Sequence, residues 1–179
     1  MVYKMVFHVD GGCRGNGQTG SIGAAAATLD TRYGNQHSHK TQQLSSYYHT
    51  PTNQRAEIQA VILALEWAQE KYRGLDTTPE LDITIYSDSK YAIGCMTDWI
   101  YKWTRNGWTN AAGNPVANRD LIEEASDLDD WVKDRGSIQY IWIPRDQNTN
   151  ADRYCNEALD EQENTQWSRT YYTDSSDDY

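Results

Sequence analysis

Leu81-Asp82-Ile83-Thr84-Ile85-Tyr86-Ser87-Asp88 (LDITIYSD) is the clearest strand in the chain, with alternating polarity and three β-branched residues. It ends on an acid, Asp88. Working back from it, Val2 to Val9 (VYKMVFHV) shows the same alternation and also runs into an acid, at Asp10-Gly11-Gly12, where the glycines signal a turn. Later, Pro51 and Thr52 introduce a helix with Ala56, Ala60, Leu63, Ala64 and Trp67 at helical spacing, and Gly74 stands where that pattern stops. If the strands of Asp10 and Asp88 lie side by side and parallel, their carboxylates meet at one edge of a sheet. Ligand crevices of open α/β sheets lie outside that edge, at the carboxyl ends of the strands.

The remaining elements extend the pattern. SIGAAAATL (21–29) reads as a buried strand of small residues, and His37–Leu44 as a third strand. After Asp88, Ser89–Met96 and Trp99–Arg105 read as two short helices, residues 106–118 as a loop, and Arg119–Val132 as an acidic amphipathic helix. SIQYIWIP (137–144) is the last strand and Asn150–Gln162 the last helix. Three strands, a helix, a strand, helices and a strand predict an α/β fold with a mixed sheet and helices on its faces. The expected domain spans residues 1–162. Residues 163–179 form an acidic tail, expected to be flexible, because SRTYYTDSSDDY shows no apolar period.

Composition narrows the class. A chain of 179 residues makes one domain with a sizeable core, and seven Trp and thirteen Tyr exclude a disordered one. With no charged-then-apolar leader and no long apolar run, the expectation is an intracellular protein, cytoplasmic or nuclear, with no membrane partner. Cys13, Cys95 and Cys155 are far apart and odd in number, so neither a disulfide framework nor a CxxC metal site is written here. The formal charge of −10 argues at first against a polyanionic partner. The placement of the acids removes that objection. Residues 120–135 carry seven acids against Lys133 and Arg135, and residues 160–179 six against Arg169. Each segment nets −5, so the rest of the chain sums to zero.

That neutral remainder holds four acids in telling places: Asp10 and Asp88 at strand ends, Glu57 early in the first long helix, and Asp152 at the start of the last. Carboxylates gathered from distant segments repel one another unless a cation neutralises them. Mg²⁺ is the natural choice, a hard ion that prefers oxygen ligands. A two-metal nuclease is the hypothesis these residues raise. GGCRGNG has no Gly-Lys-Ser/Thr after it, so it is not a P-loop.

DGGCRGNG, TNQRAEIQA, YSDSKYAI, WIYKWTRNGWTNAAGNPVANRDL and IPRDQNTNADRYCNEA, taken together and in this order, resemble the type 1 ribonucleases H from Val6 to Leu159. The resemblance implies a ribonuclease H-like α/β fold: a five-stranded mixed sheet, strands one to three antiparallel, with helices on both faces. It implies a monomeric endonuclease that cuts the RNA strand of RNA–DNA hybrids and leaves 5′-phosphate and 3′-hydroxyl ends. Asp10, Glu57, Asp88 and Asp152 match the family's metal positions. The implied cofactor is two Mg²⁺ ions, with Mn²⁺ as a substitute, about 3.5–4 Å apart on either side of the phosphorus. Asp10 would bridge them, Glu57 and Asp88 would hold the ion on the leaving-group side, and Asp152 the ion carrying the attacking water.

The resemblance extends to substrate contacts. Asn16, Asn53 and Gln54 match positions that read RNA 2′-hydroxyls, the group that distinguishes RNA from DNA. Tyr91, Trp99 and Trp103 match flat faces for DNA sugars, and Thr52 and Asn118 a pocket for a DNA phosphate. Three departures stand out. Thr50 replaces the usual Arg of that pocket, leaving His49 or Arg55 as replacements. The segment between Trp99 and Arg119 carries only Lys102, Arg105 and Arg119, so binding should depend little on salt. Many members place a catalytic His in a longer loop before the last acid. Here Pro144 runs straight to Asp152 with no His, while His8, His37, His39 and His49 all lie upstream. Arg145 stands in that loop, as in a shorter branch of the family, and is the candidate to contact the scissile phosphate or departing product. Its alternative is a solvated side chain paired with Asp146 or another acid. Two other functions compete: a non-cleaving hybrid-binding module, and a related polynucleotidyl transferase or nuclease of the same fold.

Overall fold

In the computed structural model the strand expectations are met and the two acidic strands are neighbours. The structure describes residues 1–31 and 36–174, and only the backbone of 169–174. Five strands, β1 (Val2–Arg14), β2 (Ile22–Asp30), β3 (His37–Gln43), β4 (Glu80–Ser87) and β5 (Gly136–Trp142), form one sheet in the order β3-β2-β1-β4-β5. β1, β2 and β3 pair antiparallel, whereas β1 with β4 and β4 with β5 are parallel. Val9 of β1 registers with Ser87 of β4. The next residue on each strand is therefore the acid, Asp10 beside Asp88.

Helices cover both faces. On one, α1 (Asn53–Arg73) buries Ile58, Val61, Ile62 and Leu65 against Phe7, Val9, Ile83 and Ile85, and α4 (Arg119–Lys133) adds Ile122 and Val132. On the other, Cys155, Ala158 and Leu159 of α5 (Thr149–Asp174) pack on Ile22, Ala24 and Ala26. Ala24 to Ala27 are fully buried, so the small-residue strand lets a helix approach from each side. α1 begins as its sequence directs: the Thr52 hydroxyl accepts the Arg55 N–H at 3.2 Å. It ends at Gly74, whose φ of −83° is right-handed, so this glycine closes the helix without the left-handed turn that glycine usually supplies.

Three elements depart from the sequence expectation. Gly11 and Gly12 do not turn the chain: β1 runs on through them to Arg14, paired with Ala25 and Ala24 of β2. The two short helices after Asp88 are one bent run: α2 (Lys90–Gly94), a π-helical turn (Cys95–Trp99) and α3 (Ile100–Asn106). The wide turn folds the Trp99 indole over Gly94, where an added Cβ would lie 2.9 Å from the ring. The last helix does not stop at Gln162 but continues to Asp174, and Glu163, with Asp160, holds Arg14 of β1 at 2.9 and 2.8 Å. Residues 175–179 of the expected tail lie outside the described residues. All three cysteines are free. Among the described residues no helix is long and apolar enough to cross a membrane.

Candidate active site

The Asp-Gly-Gly motif builds the site as much by what it lacks as by its acid. A Cβ on Gly11 would lie 2.1 Å from the Ala56 carbonyl oxygen, so the missing side chain lets α1 press its backbone onto β1 just where Glu57 follows Ala56. A Cβ on Gly12 would meet Cys155 and Leu159 of α5 at 3.4 Å on the other face. One strand end thus brings both acid-bearing helices close. Asn148, almost fully buried, completes the framing: its side-chain amide donates to the Val9 carbonyl at 2.9 Å, and its main-chain carbonyl accepts the Asp152 N–H at 3.1 Å. It ties Asp152 to the strand that carries Asp10. On the far side the Trp142 indole N–H donates to the Asp88 carbonyl at 3.0 Å.

Asp10, Glu57, Asp88, Asp152 and Arg145 line one open cleft of about 500 Å³ together with Asn53 and Arg14. Burial first, then the charges of Asp88 and Asp152, push the Asp10 carboxyl up to about 8, while Arg145 acts in the opposite direction. Burial also raises Glu57, against the hydrogen bond from Ser89 Oγ at 2.6 Å, and Asp88, against the pull of Arg145. Arg145 Nη2 lies 3.0 Å from Asp152 Oδ1. An all-oxygen donor set in which Asp10, Glu57 and Asp88 are all held up suits a hard divalent cation in charge and in ligand type. Orientation is a different matter. Among the described residues no three His, Cys, Asp or Glu side chains are arranged to hold a metal ion, and here Glu57 is turned to Ser89 and Asp152 to Arg145.

Of the residues expected to meet substrate, Asn53 lines this cleft, while Tyr91, Trp99 and Trp103 line a second one. Asn16 Oδ1 accepts the Asn53 N–H at 2.8 Å, and Asn53 Oδ1 accepts the Cys13 N–H at 3.0 Å, locking the turn after β1 to the start of α1. The Asn118 amide donates to the Tyr91 hydroxyl at 2.9 Å and to Gln54 Oε1 at 3.4 Å. From Tyr91 the rings step to Trp99 (6.1 Å), Trp103 (5.9 Å) and Trp108 (6.2 Å). Thr52 caps α1. Arg55 is not free to replace the missing Arg at position 50. Its guanidinium is bound by both oxygens of Asp120, at 2.9 and 2.6 Å, and the side chain is only 12% exposed. His49 faces the same carboxylate at 3.5 Å.

Sequence reasoning missed Ser89, Asn148 and Trp142 as supports of the carboxylates. Ser89 was visible beside Asp88 in YSDS. Asn148 and Trp142 act on partners distant in the chain.

A model of the RNase H family matches residues 3–165. The ribonuclease H of Clostridium botulinum (strain Hall) is 33% identical over 163 residues, covering 88% of this chain and 97% of its own. The ribonuclease HI of Haemophilus influenzae (strain Rd) is 36% identical over 157 residues, covering 88% of each. The structure of LC11-RNase H1, solved in complex with an RNA/DNA hybrid, superposes with a TM-score of 0.62 at 22% identity over 88% of this chain and 98% of that one. Sheet order, acidic cleft and these relatives define a nuclease. The chain belongs to the ribonuclease H family, and its likeness is to the type 1 enzymes.

Proposed function

We propose that this enzyme hydrolyses the RNA strand of RNA–DNA hybrids internally, leaving 5′-phosphate and 3′-hydroxyl ends. The observation that carries the reading is the convergence of Asp10, Glu57, Asp88 and Asp152 on one cleft, with the Asp10 carboxyl pushed up to about 8. The relative solved with a hybrid supports the substrate class. The four carboxylates would hold two Mg²⁺ ions, or Mn²⁺ in their place. Bound there, the ions supply activation of water and stabilisation of the leaving oxygen. Asn16, Asn53 and Gln54 read the 2′-hydroxyls of the RNA strand. Thr52, Asn118, Tyr91, Trp99 and Trp103 carry the DNA strand. Arg145, at the cleft and always charged, neutralises the scissile phosphate or the departing product. In this reading residues 1–162 form the catalytic domain, residues 163–179 an acidic appendage, and the enzyme works as an intracellular monomer.

The test is incubation of a labelled RNA–DNA hybrid, beside single-stranded RNA, duplex RNA and duplex DNA, with Mg²⁺ and with EDTA. The expected result is cutting of the hybrid's RNA strand alone, dependent on Mg²⁺, and lost in Asp10→Asn. Binding without cleavage would mark a hybrid-binding module, and equal cutting of DNA duplexes a different nuclease of the fold.

A further inference from the structure

Between β3 and α1, two side chains find no place in the catalytic machinery. Tyr47 and Tyr48 are 82% and 85% exposed, and their rings meet edge to face with centroids 4.6 Å apart. Aromatic rings contribute to a fold through the large area they bury. This pair buries little, so folding does not account for it.

Its neighbours connect it to the substrate face. Tyr48, His49 and Arg55 line one cavity of about 220 Å³. From Arg55 the connection passes to Asn118 Oδ1 at 3.5 Å, from Asn118 to Tyr91 at 2.9 Å, and from Tyr91 along the ladder of Trp99, Trp103 and Trp108. The tyrosine pair prolongs this band past the amino end of α1. The band is rich in rings, and three of its cations are answered by acids: Arg55 by Asp120, Arg119 by Glu123 and Lys102 by Asp98.

This chemistry selects its occupant. A duplex turns its bases inward and presents sugars and phosphates, so the faces of its bases are out of reach of exposed rings. An unpaired strand presents the flat faces of its bases, and aromatic side chains hold these with little regard to sequence. We propose that Tyr47 and Tyr48 form a stacking platform for an unpaired nucleotide of a strand that runs on beyond the hybrid. The proposal rests on hydrolysis of RNA–DNA hybrids being the function of the chain. RNA and DNA extensions share the recognising chemistry and are separate arms of the test.

The experiment measures dissociation constants, in EDTA, for hybrids that are blunt or carry a short 5′ or 3′ extension of the RNA or of the DNA strand. At least one extension is expected to tighten binding about tenfold, the scale of one stacked base. Tyr47→Phe/Tyr48→Phe, which keeps the rings, retains that advantage. Tyr47→Ala/Tyr48→Ala loses it, with blunt-hybrid binding and cleavage equal to wild type. Equal affinity for blunt and extended hybrids overturns the proposal. So does an advantage that survives in the double alanine variant, or a loss of self-association there in place of any extension effect. In a parallel assay with Mg²⁺, a blunt hybrid left uncut overturns the hydrolase reading and this proposal with it; a cut blunt hybrid with no extension effect overturns this proposal alone.

Discussion

Arg145 shows what a single residue is for when its obvious energetic role is small. Its side chain is 77% exposed and its pair with Asp152 lies at the rim of the cleft. Exposed ion pairs contribute at most about 1 kcal/mol, so stability does not explain it. Its charge acts instead on the carboxylates, lowering both Asp10 and Asp88 against their burial. Arg145→Ala should reduce kcat about tenfold, roughly 1.4 kcal/mol of barrier, while thermal unfolding stays near that of wild type. Steady-state kinetics on a hybrid beside a melting curve checks both halves; unchanged turnover would leave the guanidinium as no more than a partner for Asp152. Arg145 was legible because the loop that holds it lacks a His. Its partner was left open between Asp146 and other acids, since Asp146 lies within the tight turn Arg145–Gln147 and only the start of α5 brings Asp152 within reach. Asn148 could not be read at all. Its bond to Val9 spans 139 residues, and no local pattern encodes such a partner.

At the scale of elements, the contact of α1 with β1 decides whether Glu57 and Asp10 can act together. The Ala56 carbonyl occupies the space a side chain on Gly11 would need. Gly11→Ala must push the helix off the strand, with an overpacking cost of about 1–3 kcal/mol or more. The expected outcome is a lowered unfolding midpoint together with lost cleavage, measured by denaturant titration and hybrid cleavage on the same preparation. A Gly11→Ala enzyme as stable and active as wild type would show that the close approach is not needed. The helix itself was legible from its apolar spacing and its Thr52 cap. The π turn at Cys95–Trp99 was not, because it widens the helix without altering the apolar pattern around it. Nor was the length of α5. Past Gln162 the helix has no apolar period to read: Thr165 and Ser168 bond the Glu161 and Asn164 carbonyls of their own helix, and the pair of Glu163 with Arg14 of β1 needs the fold.

Across the whole molecule, the site as read from the sequence was conditional on the two acid-ended strands lying side by side and parallel, and β1 and β4 meet that condition. Had they not been parallel neighbours, Asp10 and Asp88 could not share an edge. The charge pattern was legible only in part. Sequence counting located the acids in two segments, but the pairings needed the fold: Asp120 crosses to Arg55 of α1, and Asp160 and Glu163 cross to Arg14 of β1. These pairings bear on how the molecule meets a polyanion. The segment from Trp99 to Arg119 carries Lys102, Arg105 and Arg119, and two of the three are already paired, Lys102 with Asp98 at 3.2 Å and Arg119 with Glu123 at 2.6 Å. Each phosphate neutralised contributes about −0.9 to the slope of log affinity against log salt, so this segment supports a slope no steeper than about −3. Both acids lie one turn from their cations on exposed helix surface, where removing them costs the fold little. Asp98→Asn/Glu123→Gln should therefore remain folded, bind a hybrid more tightly at low salt, and show a slope steeper by up to about 2 as the released cations engage phosphates. Titration of an uncleaved hybrid in EDTA across a series of salt concentrations measures both slopes. A wild-type slope as steep as that of a protein neutralising many phosphates, or a variant indistinguishable from wild type, would mean that the internal pairings do not limit how this enzyme holds nucleic acid.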